Sequence, residues 1–131
     1  MPVWEACAGA TLLVPSGPQG QHLFVVLNDP QAFEGYGNVV CVVMVPLDSV
    51  KSGVHHDATC TLTAGEHPFV TRPTFVNFSY ARIEQARHLE EMVASGQFRA
   101  NARIDNLLLA RIKQGLLDSP FTKREFKRLF A

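Results

Sequence analysis

Between residues 10 and 78 the apolar side chains come in short bursts, broken by proline, glycine and aspartate. From residue 83 onward they recur every three or four positions. The first pattern predicts strands and the second predicts helices. Ala10–Val14 is a short apolar run stopped by Pro15, and SGPQG at 16–20 has turn composition. His22–Leu27 (HLFVVL) is a second strand, closed by Asn28, Asp29 and Pro30. After the glycine-rich FEGYGN at 33–38, Asn38–Leu47 is apolar on both faces. That predicts a central strand covered on both sides and ended at Pro46, because proline cannot donate to a ladder. Asp57–Thr63 alternates, with Asp57, Thr59, Thr61 and Thr63 on one face and Ala58, Cys60 and Leu62 on the other. Thr71–Phe78 supplies a fifth strand. Five short strands with tight turns predict a small, strongly curved sheet or barrel.

The helical half begins at Ser79. Ile83, Ala86, Leu89, Met92 and Val93 share one face, and Gly96 stands where a helix would stop. A second helix carries Ile104, Leu107, Leu108, Ile112 and Leu116, with Gly115 near its end. Thr122 and Glu125 have the spacing of a capping box, and Phe121 and Phe126 that of a hydrophobic staple, so a third helix is expected over about 122–130. The fold class is therefore α+β: a small barrel-like sheet followed by two to three helices. Residues 1–131 form one domain, with a helical extension at about 103–131.

Composition narrows the function classes. No apolar run reaches the roughly 18 residues of a membrane helix, and MPVWEACAG lacks the basic start and long apolar stretch of a signal peptide. Cys7, Cys41 and Cys60 are odd in number and widely spaced, which suits reduced thiols in a cytoplasm. The net charge is zero but polarised: residues 1–98 carry −5 and residues 99–131 carry +5. A basic end attracts phosphate, though surface helices carry Lys and Arg in any case.

The densest polar stretch is HHDATCTLTAGEHPF at 55–69, with three of the five histidines. His56, Cys60 and His67 have a spacing that offers three metal ligands, but Cys60 shares its face with Ala58 and Leu62, which reads as a buried thiol; no metal and no cofactor is assigned. The structural alternative makes Gly65 a turn, His67-Pro68 an extended step and Phe69 the return to the core. Cleaving RNA without metal needs a base for the 2′-hydroxyl, an acid for the leaving oxygen and a cation for the phosphorane. His67 and His22 are the acid–base candidates, with Asp57 as orienting carboxylate. Arg72, His55 and Asp48 are the substrate-binding candidates, Arg72 through its phosphate-matching fork of donors.

GATLLVP (9–15), HLFVVLND (22–29), VVMVPL (42–47) and FVNFSYARIEQ (75–85), in that order, resemble the MazF/PemK-like toxins of bacterial toxin–antitoxin pairs. The resemblance covers roughly residues 9–117 and is one of strand types. It implies an SH3-like barrel of about five strands with appended helices, a homodimer, and metal-independent cleavage of single-stranded RNA, held in check by an antitoxin protein. The chain departs from the family at two places. His22 or Gln21 stands where the family has an arginine, and Asp48 where it has serine or threonine. The 55–69 segment is outside the family pattern. The alternative is a non-catalytic module of the same fold that binds protein or nucleic acid.

Overall fold

The computed structural model describes residues 3–17 and 20–130; Pro18 and Gln19, inside the predicted 16–20 turn, lie outside the described residues. The chain is α+β. The strands are β1 (Thr11–Pro15), β2 (Gln21–Val26), β3 (Cys41–Ser49), β4 (Thr61–Leu62), β5 (Thr74–Val76), β6 (Arg82–Gln85) and β7 (Arg99–Asn101). The helices are α1 (Ala86–Ala94), α2 (Asn106–Asp118) and α3 (Arg124–Phe130), with a 3-10 turn at Phe78–Tyr80. All strand pairings are antiparallel, in the order β4-β5-β3-β2-β1-β7, with β6 also on β3. The sheet is open, with β4 and β7 at its ends, and is not closed into the expected SH3-like barrel.

β3 organises this arrangement, and its sequence explains why. Residues 41–47 are all buried, as a doubly apolar strand requires. Cys41, Val43, Val45 and Leu47 enter one core with Leu23 and Val25 of β2 and with Ile104, Leu108, Ile112, Leu116 and Phe126 from the α2–α3 side. Val42 and Met44 enter the other, with Leu12, Val14, Phe24, Val26 and Leu89 of α1. Helices therefore cover both faces of the sheet. The predicted 103–131 extension supplies one whole wall of the larger core.

Pro46 does not end β3, contrary to expectation; the strand runs on to Ser49. Met44 is the last residue paired with β6 and Leu47 the first paired with β5. The Pro46 carbonyl accepts the backbone N–H of Asn77, so its missing donor faces the gap where β3 changes partners. That is a tolerated position for proline inside a sheet.

Other expectations shift for local reasons. The predicted helix start at 79–85 is instead the 3-10 turn and β6, because β3 offers Cys41–Met44 as a ladder for Arg82–Gln85. The predicted 57–63 strand shrinks to Thr61–Leu62, since the Asp57 carboxylate accepts both the N–H and the hydroxyl of Thr59 and curls the chain. Burial there is reversed: Asp57 is buried and Ala58 exposed. Phe69 is exposed, and Val70 makes the return to the core. Leu107 is exposed on α2 rather than on its buried stripe. The capping box does not form: Thr122 Oγ1 is buried without a hydrogen-bond partner, and the Lys123 carbonyl accepts the N–H groups of Phe126 and Lys127. α2 is capped instead by Asp105, whose side chain accepts Leu108 N–H at 2.7 Å.

Candidate functional site

A cleft of about 600 Å³ opens where β2, β3 and the Phe78–Tyr80 turn meet, bounded also by Lys123 before α3. Strand register builds it. Leu23 pairs with Leu47 and Phe24 with Pro46, so one step further along the ladder His22 stands opposite Asp48, as a cross-strand pair. His22 Nε2 lies 2.8 Å from Asp48 Oδ1. A carboxylate only accepts, so Nε2 carries a proton, and in the neutral ring the lone pair is on Nδ1. The Ser16 hydroxyl, next to Pro15 at the end of β1, hydrogen-bonds that Nδ1. On the other side Asn77 Nδ2 donates to Asp48 Oδ2 at 2.8 Å, and Ser79 Oγ donates to Asn77 Oδ1 at 2.6 Å. Asp48 is thus fixed through both oxygens, and it fixes the tautomer and the orientation of the imidazole.

The arrangement has the elements of a proton-transfer site: an oriented, half-exposed histidine with a compensated carboxylate behind it. Cations stand nearby. Arg82 lies over the Phe24 ring, 5.4 Å from its centroid, with one edge on Glu84 at 2.7 Å. Lys123 also lines the cleft. Tyr80, 66% exposed, presents an aromatic face at the mouth.

Of the residues singled out in sequence, His22 and Asp48 come together here. His55 shares a smaller cavity, about 250 Å³, with Asp48, Lys51, His56 and Phe75. Arg72 lies elsewhere, in a cavity beside Phe69 and Thr74. His67 and Asp57 join neither each other nor His22. His67 is buried at 2% exposure; its Nε2 donates to the Ala102 carbonyl at 2.6 Å and its Nδ1 accepts the Phe69 N–H at 3.0 Å. Both ring nitrogens are committed to the frame, so neither can pass a proton to a substrate. Asp57 is buried and accepts from Ser119 Oγ at 2.6 Å and from Thr59. Burial pushes its carboxyl up, but the bonds from Ser119 and Thr59, with the nearby His55, outweigh that and hold it below the usual carboxylate range.

The 55–69 segment therefore acts mainly as a strap. Asp57 ties it to the turn after α2, His67 to the chain after β7, and Glu66 to α2 through Arg111 at 2.6 Å. Hydrogen bonds from Thr63 N–H and from Arg111 lower the Glu66 carboxyl below its ordinary value. Among the described residues no three His, Cys, Asp or Glu side chains converge to hold a metal ion; the sequence spacing of His56, Cys60 and His67 does not carry into space.

Sequence reasoning missed Ser16, Asn77, Ser79, Tyr80, Arg82 and Lys123. The first two are single polar residues in or beside turns, and the next three sat inside a stretch read as a helix start. The signal that does exist is the ladder: given a β2–β3 hairpin pairing, His22 and Asp48 must face each other. No helix among the described residues is long and apolar enough to cross a membrane. No protein-family model, curated protein or solved structure matches the chain, so the likeness to MazF/PemK toxins rests on the strand pattern and order of elements alone.

Proposed function

We propose that the chain is a metal-independent endoribonuclease of the toxin type, cleaving single-stranded RNA at the His22–Asp48 cleft. The observation that carries this is the cross-strand His22–Asp48 pair, 2.8 Å apart, in a cleft that also holds Arg82, Lys123 and Tyr80. In this reading a substrate 2′-hydroxyl replaces the Ser16 hydroxyl at His22 Nδ1 and gives up its proton there. The new positive charge on the ring is balanced by Asp48. The 2′-oxygen attacks the adjacent phosphorus, the P–O5′ bond breaks, and the leaving 5′-oxygen takes up a proton from water while His22 returns its own to solvent, so that a 2′,3′-cyclic phosphate and a 5′-hydroxyl result. Arg82 and Lys123 stabilise the phosphorane charge. His22 and Asp48 would then do the work of the arginine and hydroxyl residue that the resembled family has at those places. The open, helix-covered sheet is on this view a relative of the SH3-like barrel. The family likeness also carries a homodimer, an antitoxin partner and a cytoplasmic location.

The test is incubation of purified protein with mixed-sequence single-stranded RNA in EDTA. Cleavage is expected, and His22→Ala is expected to lower it by about 10²–10⁴-fold, the usual contribution of a positioned acid–base group. Asp48→Asn is expected to lower it as well. Intact RNA at all enzyme concentrations would overturn the proposal. Full activity in His22→Ala would overturn the site.

A second reading, the non-catalytic binding module, is favoured by one observation: Ser16 already occupies the His22 lone pair. It expects the RNA to be bound but not cut, with Tyr80→Ala weakening retention.

A further inference from the structure

The two cavities around Asp48 are walls of one another. Asp48 lines both the His22 cleft and the smaller cavity of Lys51, His55, His56 and Phe75. They are also joined on the far side. Phe121 meets the His55 ring edge-on at 6.3 Å, and Lys123, two residues later, lines the His22 cleft. One short turn before α3 thus borders both.

We infer that the two cavities form a single track for single-stranded RNA, in which the Lys51–His55–Phe121 side holds nucleotides flanking the bond cut at His22. This rests on the proposed ribonuclease reading. Three observations select the ligand. Cations stand on both sides: Arg82 and Lys123 at one, Lys51 at the other, where His55 and His56 add ring nitrogens that hydrogen-bond. Among the described residues, Asp48 is the one carboxylate in either lining, and its two oxygens are turned to His22 and Asn77, which damps its repulsion of a phosphate. Each side has an exposed aromatic ring: Tyr80 lines the His22 cleft, and Phe121 (48% exposed) packs edge-on against His55 of the other cavity. Cations interleaved with exposed rings are how proteins hold unpaired bases, whose faces stack whatever the sequence. A bare polyanion would use the cations and leave the rings idle.

Length dependence reads this out. The full chain is given a dinucleotide and a mixed-sequence hexanucleotide, and kcat/KM is measured for both. The hexanucleotide is expected to be favoured about ten-fold or more, the scale of one or two stacked bases with their phosphate contacts. In Lys51→Ala/His55→Ala that preference is expected to fall about ten-fold. Arg87→Ala, which removes a charge from the exposed face of α1 away from both cavities, is the control and keeps the preference. Circular dichroism confirms that each variant is folded. Binding is followed separately with a 2′-O-methyl hexanucleotide, which cannot be cut.

If the wild type cleaves and the double variant keeps the length preference, the track is wrong and the ribonuclease reading stands. If nothing is cleaved but the 2′-O-methyl hexanucleotide binds and the double variant loses it, the track stands and the ribonuclease reading falls. No binding overturns the track. Inorganic polyphosphate of equal charge competing as well as RNA overturns it too, because the rings would then contribute nothing.

Discussion

Asp57 and Cys60 show what single residues in the polar segment do. Asp57 holds its carboxyl below the ordinary range in the folded chain. As pH falls, the unfolded chain therefore takes up that proton first. Its contribution to stability is complete above the ordinary aspartate value, near 3.9, and is lost as pH falls through the lower folded value. Thermal midpoints measured from pH 6 down to pH 3 should drop more steeply for wild type than for Asp57→Asn. Ser119→Ala leaves a buried carboxylate short of a partner and should cost about 1–3 kcal/mol in denaturant unfolding. Asp57→Asn does not touch His22, so the proposed RNA cleavage per folded molecule is expected to persist in that variant. Cys41 and Cys60 are buried, and burial raises both thiols, whereas Cys7 is part-exposed. A thiol reagent should therefore titrate one cysteine in the native protein and three after denaturation. At this scale the sequence was only partly legible. The reduced thiols and the buried Cys60 follow from composition and strand pattern. The roles of His67 and Asp57 do not, because a histidine that braces a carbonyl and one that moves protons look the same until their partners are known.

At the scale of elements, β2, β3, α1 and α2 were readable because each buries a long, regular stripe. β6 was not: RIEQ has no apolar alternation and was absorbed into the helix that follows it. What makes it a strand is the vacant ladder on β3, a tertiary cause that local pattern does not carry. Gly115 is a similar case. In sequence it looks like a residue near a helix end, but it lies inside α2 where the helix meets the Phe78 ring. A Cβ there would come within 2.7 Å of Phe78 Cζ and 3.2 Å of Cys60 Cβ. Phe78 is fully buried, so its ring has little room to yield. Gly115→Ala should gain up to about 1 kcal/mol in helix propensity. It should lose more through overpacking, about 1–3 kcal/mol. A net fall in the urea midpoint is the expected result; a rise would mean that the helix and ring separate easily.

The molecule as a whole is closed by its late residues. β7 pairs with β1, joining Thr11 to Asn101, and α2 and α3 cover the face formed by Val25, Val43 and Val45. A chain stopped after residue 102 would keep its strands but leave that face in water. It should bind a hydrophobic dye and lose near-ultraviolet dichroism while retaining β signal. The sequence foretold α+β order and a polarised charge, but not helices on both faces. Two apolar faces on one strand require two covers without saying which segments provide them. The cleft has the same dependence on distant parts: Ser16 and Lys123 line it together. During synthesis, residues 16, 22 and 48 emerge early and wait for residue 123. Until residues 99–101 emerge β1 also has an unpaired edge, and the pairing that covers it spans some ninety positions. A ribosome-bound chain therefore carries His22 and Asp48 without a finished surface to hold a substrate, and whatever the site does begins only once the last helix has docked.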